Sequence, residues 1–181
     1  MGNFFDKKEV EQIKMLNASS GNHHRFRPYD LNNPEDMAEM LEFSIGEYCD
    51  CMTYLKRVES VRTSFAEIVE TTGAKSWLEG KRRGKNFVSN TSIVLKSVKG
   101  NLERLSAKAT DRCMNAMRIA LEAPPQHQER IFGRTHSLDT EKIEEFVAAF
   151  FEQVRHSSFH YEIRKNYEDF VKLVNAGLNV S

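Results

Sequence analysis

An arginine and two histidines lie close together near the end of this 181-residue sequence. Arg155, His156 and His160 fall where the helical spacing of the apolar residues slips. A histidine titrates near neutral pH and can move protons, and a guanidinium can hold a phosphate through paired hydrogen bonds. These residue types therefore suit acid–base chemistry at a phosphate.

The run from Arg155 to His160 reads as an arginine, a polar residue, three further residues and a histidine. It resembles the motif of HEPN-type helical domains, and it lies in the last predicted helix, which suits that family. Many members are metal-independent ribonucleases, in which paired motifs from two protomers use the RNA 2′-hydroxyl as nucleophile. The resemblance implies that Arg155 steadies the phosphate, that His160 is acid or base, and that His156 takes the family's polar position.

Two other interpretations of the same residues stay open. Glu152, His156 and His160 are each one helical turn apart, so they could ligate zinc or a transition metal. No further matching ligand pair exists in the sequence, so we predict no metal site and no cofactor. A polar kink with solvated histidines needs no chemistry, and we favour it.

A compact basic segment lies between the second and third predicted helices. It consists of Lys81, Arg82, Arg83 and Lys85. It lacks the preceding strand and the Ser or Thr of a nucleotide-binding P-loop. Its cations could bind the phosphates of nucleic acid or of anionic lipid. The solvated end of a helical hairpin is the interpretation that we favour.

The N-terminus offers a lipidation signal. Gly2 after the initiator methionine permits N-myristoylation, but Asp6 stands where Ser or Thr is usual. The neighbouring Phe4 and Phe5 could contact a membrane, yet the acids and bases of this segment balance. We therefore expect these rings to pack on the protein as a short lid.

Apolar residues recur every three or four positions along three long stretches, which indicates amphipathic helices. We predict an all-α protein: an up-and-down antiparallel bundle of three long helices, the last one kinked, plus a short N-terminal helix. The slip in register near residues 155–160 indicates a kink, a bulge or a break into two helices. The chain is long enough for one domain, residues 1–181. The predicted helices cover residues 6–16, 34–72, 86–123 and 139–176, with a loop at 17–33.

Punctuating residues set these boundaries. Capping residues are expected at Asp6, Asn33 and Asp139, and a proline fits the first turn at Pro34. The pair Pro124-Pro125 ends the third of these helices, a loop follows from Gln126 to Leu138, and Gly177 is expected to cap the last helix. The apolar stripes include Val61, Phe65 and Ile68 on one helix, and Val98, Leu102 and Leu105 on the next.

The formal net charge is zero, but it is unevenly distributed. Residues 35–70 carry nine acidic and three basic side chains, and residues 75–112 carry ten basic and three acidic ones. Two such helices attract when folded back on each other, although exposed pairs contribute only about 0–1 kcal/mol each. A basic face left open for phosphate or anionic lipid is the alternative.

The three cysteines are an odd number, with no secretory signal before them. No apolar run approaches the roughly 20 residues that span a bilayer. We therefore expect free thiols and a cytoplasmic location, with peripheral membrane association as the alternative.

No motif names a reaction or a small-molecule substrate. Long helices that leave apolar stripes half exposed favour self-association or the docking of a partner helix. We predict a non-enzymatic interaction or scaffold module with coiled-coil-like packing, working as a homodimer. The alternatives are a HEPN-like ribonuclease that uses Arg155 and His160, with RNA as its partner, and a peripheral membrane protein.

Overall fold

The computed structural model describes residues 4–20, 28–71, 82–158 and 161–179. These ranges contain helices and no strand, which confirms the all-α prediction. In chain order the helices are α1 (Lys7–Ser20), α2 (Pro34–Thr71), α3 (Arg82–Leu121), α4 (Pro125–Phe132), α5 (Thr140–His156) and α6 (Ile163–Asn179).

Three of the predicted helix starts are confirmed by their hydrogen bonds. At α1 the backbone N–H of Glu9 donates to Asp6 Oδ1 at 2.9 Å, and the N–H of Asp6 donates back to the Glu9 carboxylate at 3.0 Å. At α2 the carboxamide oxygen of Asn33 accepts from the N–H of Glu35 at 2.9 Å. At α5 Asp139 accepts from the N–H of Lys142 at 2.8 Å. Each cap satisfies amides that the first turn leaves free.

The predicted loop from Gln126 to Leu138 is wrong at its start, because residues 125–132 form α4. Pro125 takes the first helical position, where its missing N–H is not needed. Ile131 and Phe132 are buried, so packing stabilises this short helix. Gly133 ends it in the left-handed conformation (φ 74°), and its N–H donates to Glu129 O at 2.9 Å.

The predicted kink in the last long helix is a complete break. Helix α5 ends at His156, and Ser157 takes an extended conformation while its hydroxyl donates to Val154 O at 3.0 Å. Helix α6 starts at Ile163, so of the three predicted alternatives the break into two helices is confirmed, and a single kinked helix over residues 139–176 is wrong. The expected cap at Gly177 is wrong too, since α6 continues past it to Asn179. Gly177 instead lies against the ring of Phe146, where a methyl group would clash.

The chain divides into two compact units, which we describe separately. The core unit comprises residues 1–47 and 112–181, and the hairpin unit comprises residues 48–111. The prediction of one domain over residues 1–181 stays a prediction.

The core unit has a well-buried aromatic interior. The rings of Phe150 and Phe170 join α5 to α6 with centroids 5.6 Å apart, and Phe132 of α4 lies 6.2 Å from Phe170. Phe150 and Phe170 are at most 1% exposed. Such edge-to-face ring pairs add to the stability gained by burying their area.

The hairpin unit consists of the second part of α2 and the first part of α3. Lys99 Nζ lies 2.8 Å from Glu59 Oε2, and Ser106 Oγ donates to Met52 Sδ at 3.2 Å. Met52 lies seven residues before Glu59 on α2, and its partner Ser106 lies seven residues after Lys99 on α3. The two helices are therefore antiparallel, with residue 59 level with residue 99.

Candidate interaction surface

The predicted catalytic residues form an exposed ion-pair cluster on the last turn of α5. Glu152 Oε1 lies 2.8 Å from His156 Nε2 and 3.0 Å from Arg155 Nη2. The hydrogen bond from His156, with the charge of Arg155, holds the pKa of Glu152 below its usual value. All three side chains are more than half exposed, so these pairs lie in contact with water. His160 lies outside the described residues.

The predicted basic segment is described only in part. Lys81 lies outside the described residues, as does Gly2 at the N-terminus. Arg82, Arg83 and Lys85 belong to the first turns of α3, with side chains outside the described part. The expected joint through residue 85 is therefore wrong, because helix already begins at Arg82.

Metal binding and thiol chemistry have little support in the described part of the chain. No group of three or more His, Cys, Asp or Glu side chains there is placed to hold a metal ion. Cys49 and Cys113 are buried free thiols, and burial raises the pKa of Cys49 to about 12. A thiol with so high a pKa is a poor nucleophile. None of the described helices is long and apolar enough to cross a membrane.

A polar network in the core unit was missed at the level of sequence. Gln128 Nε2 donates to Ala123 O at 2.9 Å, and Gln128 Oε1 accepts from the N–H of His136 at 2.8 Å. Nε2 of the His136 ring lies within hydrogen-bond distance of Leu121 O, at 3.2 Å, and burial lowers the pKa of His136. The network ties the end of α3 to the segment after α4, which is a structural role.

Exposed large apolar side chains are concentrated in the hairpin unit. Of the eleven large apolar residues that are exposed in the described ranges, eight lie in this unit, and each is 40–61% exposed. They are Tyr54, Val61 and Ile68 on α2, and Phe87, Ile93, Val94, Val98 and Leu105 on α3. Val61, Ile68, Val98 and Leu105 belong to the apolar stripes identified in the sequence, and all four are exposed.

Six of these residues share one side of the hairpin. Val98 and Leu105 come immediately before Lys99 and Ser106, which bond to α2. Val61, Phe87 and Val94 come immediately before residues that line the cleft between the two helices, Arg62, Val88 and Leu95. Tyr54 lies seven residues before Val61, so it repeats the position of Val61 two turns earlier. We call the line of contact between the two helices the seam. A helix turns by about 100° per residue, so each exposed side chain points about 100° away from the seam, in the same direction of rotation about its own helix. A twofold axis perpendicular to the plane of two antiparallel helices exchanges the helices and keeps the front of the pair at the front. Side chains with the same angular offset from the seam therefore lie on the same side of the pair.

We call this side the apolar front. It comprises Tyr54, Val61, Phe87, Val94, Val98 and Leu105. Ile93 is equally exposed but lies about 100° further round α3, off the front.

Charged side chains border the apolar front. Asp50 is one turn before Tyr54 on α2, and Lys108 is one turn after Leu105 on α3; both are exposed. Partial burial raises the pKa of Asp50. The guanidinium of Arg57 lies 5.8 Å from the centre of the Tyr54 ring, a cation–π distance. The border therefore carries both signs of charge.

The sequence did contain a signal for the front. Tyr54 and Val61 are seven residues apart, and Phe87 and Val94 repeat that step. Each set runs beside the inward stripe, so each helix carries two adjacent apolar stripes rather than one. A single two-helix contact can bury only one of them.

Comparison with known proteins finds no matching family model, no similar curated protein and no similar solved structure.

Proposed function

We propose that the protein is a non-enzymatic helical interaction module that self-associates through the apolar front of its hairpin unit. One observation carries the proposal: two antiparallel helices expose six large apolar side chains on a common side. In this proposal the long helices form an up-and-down antiparallel scaffold, and association completes the packing that one hairpin leaves open.

The physical reason is the cost of leaving apolar area in water. Each Å² of apolar surface removed from water contributes about 25 cal/mol, and contiguous exposed patches mark interaction sites. The six side chains form two rows on neighbouring helices, so they make a patch rather than scattered exposed residues. Coiled-coil-like packing suits their spacing of seven and four residues.

The alternative functions have less support. A ribonuclease would use Arg155 at the phosphate, and the described contact of Arg155 is instead an ion pair with Glu152. Binding to an anionic membrane would favour a border of one sign, whereas Asp50 and Lys108 flank the front with opposite charges.

The test uses two neighbouring residues. Val94 lies on the front and Ile93 lies off it, and they are 58% and 61% exposed. We expect Val94→Glu to dissociate the dimer, because it places a charge among apolar side chains, whereas Ile93→Glu leaves it intact. Sedimentation velocity over a concentration series measures the effect, with circular dichroism to check folding. A wild-type chain that stays monomeric, or equal association by both variants, would contradict the proposal.

A further inference from the structure

We infer that the occupant of the apolar front is a second copy of this chain, whose α3 lies along α2 of the first copy with Asp50 opposite Lys108 of the second copy. The inference rests on the proposed self-association and specifies its geometry. The two hairpins then form a four-helix bundle about a twofold axis parallel to the helices.

The heights of the two charges support this arrangement. Lys99 is level with Glu59, because their side chains pair at 2.8 Å. Asp50 lies nine residues before Glu59, and Lys108 lies nine residues after Lys99. Because the helices are antiparallel, Asp50 and Lys108 are at the same height along the hairpin. They border the same front from its two outer edges, so within one copy they are apart.

A twofold axis parallel to the helices leaves each residue's position along the bundle unchanged and exchanges the left and right sides of the hairpin. It therefore brings α3 of the second copy beside α2 of the first, with Lys108 of the second copy facing Asp50. The same operation forms the reciprocal pair, as in every isologous interface. Along the front, Val61 and Val98 of the second copy also become level neighbours.

The other twofold arrangement fits the charges less well. An axis perpendicular to the helices would set α3 against α3 and α2 against α2. That arrangement would place Lys108 beside α3 of the second copy and Asp50 beside its α2, so the two opposite charges that border the front would not pair. Complementary charge selects the partner orientation.

The size of the front is that of a protein interface. Residues 50–68 extend for about 28 Å, and two helices side by side are about 20 Å wide. That footprint is of the same order as the roughly 800 Å² that each partner buries in a standard interface. A second copy of the hairpin has the same dimensions and so covers the whole front.

Charge reversal tests the arrangement. Both residues are exposed, so Asp50→Lys and Lys108→Asp are expected to fold, and circular dichroism checks this. Each single variant replaces two attractive pairs by two repulsive ones, and we expect its self-association to weaken roughly tenfold. An equimolar mixture of the two variants restores both attractive pairs, as does the double variant D50K/K108D. Sedimentation equilibrium and native mass spectrometry of the mixture measure the dissociation constants and the fraction of heterodimer.

The outcomes separate the geometry from the proposed function. A heterodimer formed in preference to either homodimer supports the arrangement. A wild-type dimer whose single variants associate equally well, and mix at random, overturns the α2-to-α3 arrangement while self-association stands. A wild-type chain that is monomeric at its highest soluble concentration overturns the proposed function itself.

Disulfide trapping gives an independent readout in a Cys51→Ser background. Val61→Cys and Val98→Cys are made in separate chains, and the two are mixed under mild oxidation. The arrangement predicts a disulfide between the two different chains and little bridging of Val61→Cys with itself, because the α2 helices lie diagonally. Bridging of Val61→Cys with itself would overturn it.

Discussion

The core unit and the hairpin unit use the same helical periodicity with opposite results. Of the 24 apolar residues that are buried in the described ranges, twenty lie in the core unit and four in the hairpin unit. Eight of the eleven exposed large apolar residues lie in the hairpin unit. Helix α2 contributes to both units, so helix propensity does not explain the difference.

The difference lies in how many neighbours each helix has. In the core unit the short helices α4, α5 and α6 meet through their aromatic side chains, and α3 ends among them. In the hairpin unit α2 and α3 have only one another within the described residues. A helix in a pair buries one stripe, so a second stripe stays exposed unless another chain covers it. The hairpin thus carries the apolar residues of an element with several neighbours, although within the described residues each helix has only one.

The largest expected effect comes from emptying the core unit. Phe150→Ala removes a ring that is 1% exposed, and we expect the free energy of unfolding to fall by about 3–5 kcal/mol. Phe87→Ala in the hairpin unit is the control: its ring is 59% exposed, so we expect a change within about 0.5 kcal/mol. Urea denaturation in a Val94→Glu background, which is expected to be monomeric, measures both without a contribution from association. Equal losses would remove the distinction between the units.

Substituting two glycines by alanine is expected to change the stability of the protein in opposite directions. Gly177→Ala in the core unit drives a methyl group into the Phe146 ring, and we expect a loss of about 1–3 kcal/mol. Gly100→Ala in the hairpin unit meets open space, so better helix propensity should stabilise it by roughly 0.5–1 kcal/mol. Thermal unfolding compares the two variants. A stabilising Gly177→Ala would show that the core unit adapts as freely as the hairpin.

Much of the fold could be predicted because its signals are local. Asp6, Asn33 and Asp139 each cap a helix through a side chain that bonds to an amide two or three residues away. The break after His156 was visible as a slip in register. Helix α4 was missed because Pro125 was taken as a stop, although proline equally suits a helix start.

The surface could not be predicted in the same way, because exposure depends on packing between helices. Val61 and Leu105 follow the same three-and-four spacing as buried residues, and only the orientation of the pair shows that they lie beside the seam. The role of Gly177 likewise depends on Phe146, which is 31 positions away in the chain. Periodicity gives the helix; the neighbour decides which stripe is covered.

The smallest expected effect is a difference in the pH dependence of the two units. The hairpin unit contains no histidine, whereas His136 in the core unit has a pKa that burial lowers below 6.5. Below pH 6.5 the unfolded chain takes up a proton before the folded chain does, so the free energy of unfolding decreases as the pH falls towards the folded pKa. Above pH 6.5 both states are neutral and this contribution to the pH dependence vanishes. We therefore expect His136→Gln to flatten the stability profile between pH 5 and 7, measured by urea denaturation at each pH.

Hydrogen exchange should show the acid-induced loss of protection in α4 and not in residues 87–105 of α3. An unchanged profile would mean that the lowered pKa of His136 has no weight in the stability of the core unit, and that acid does not distinguish the two units.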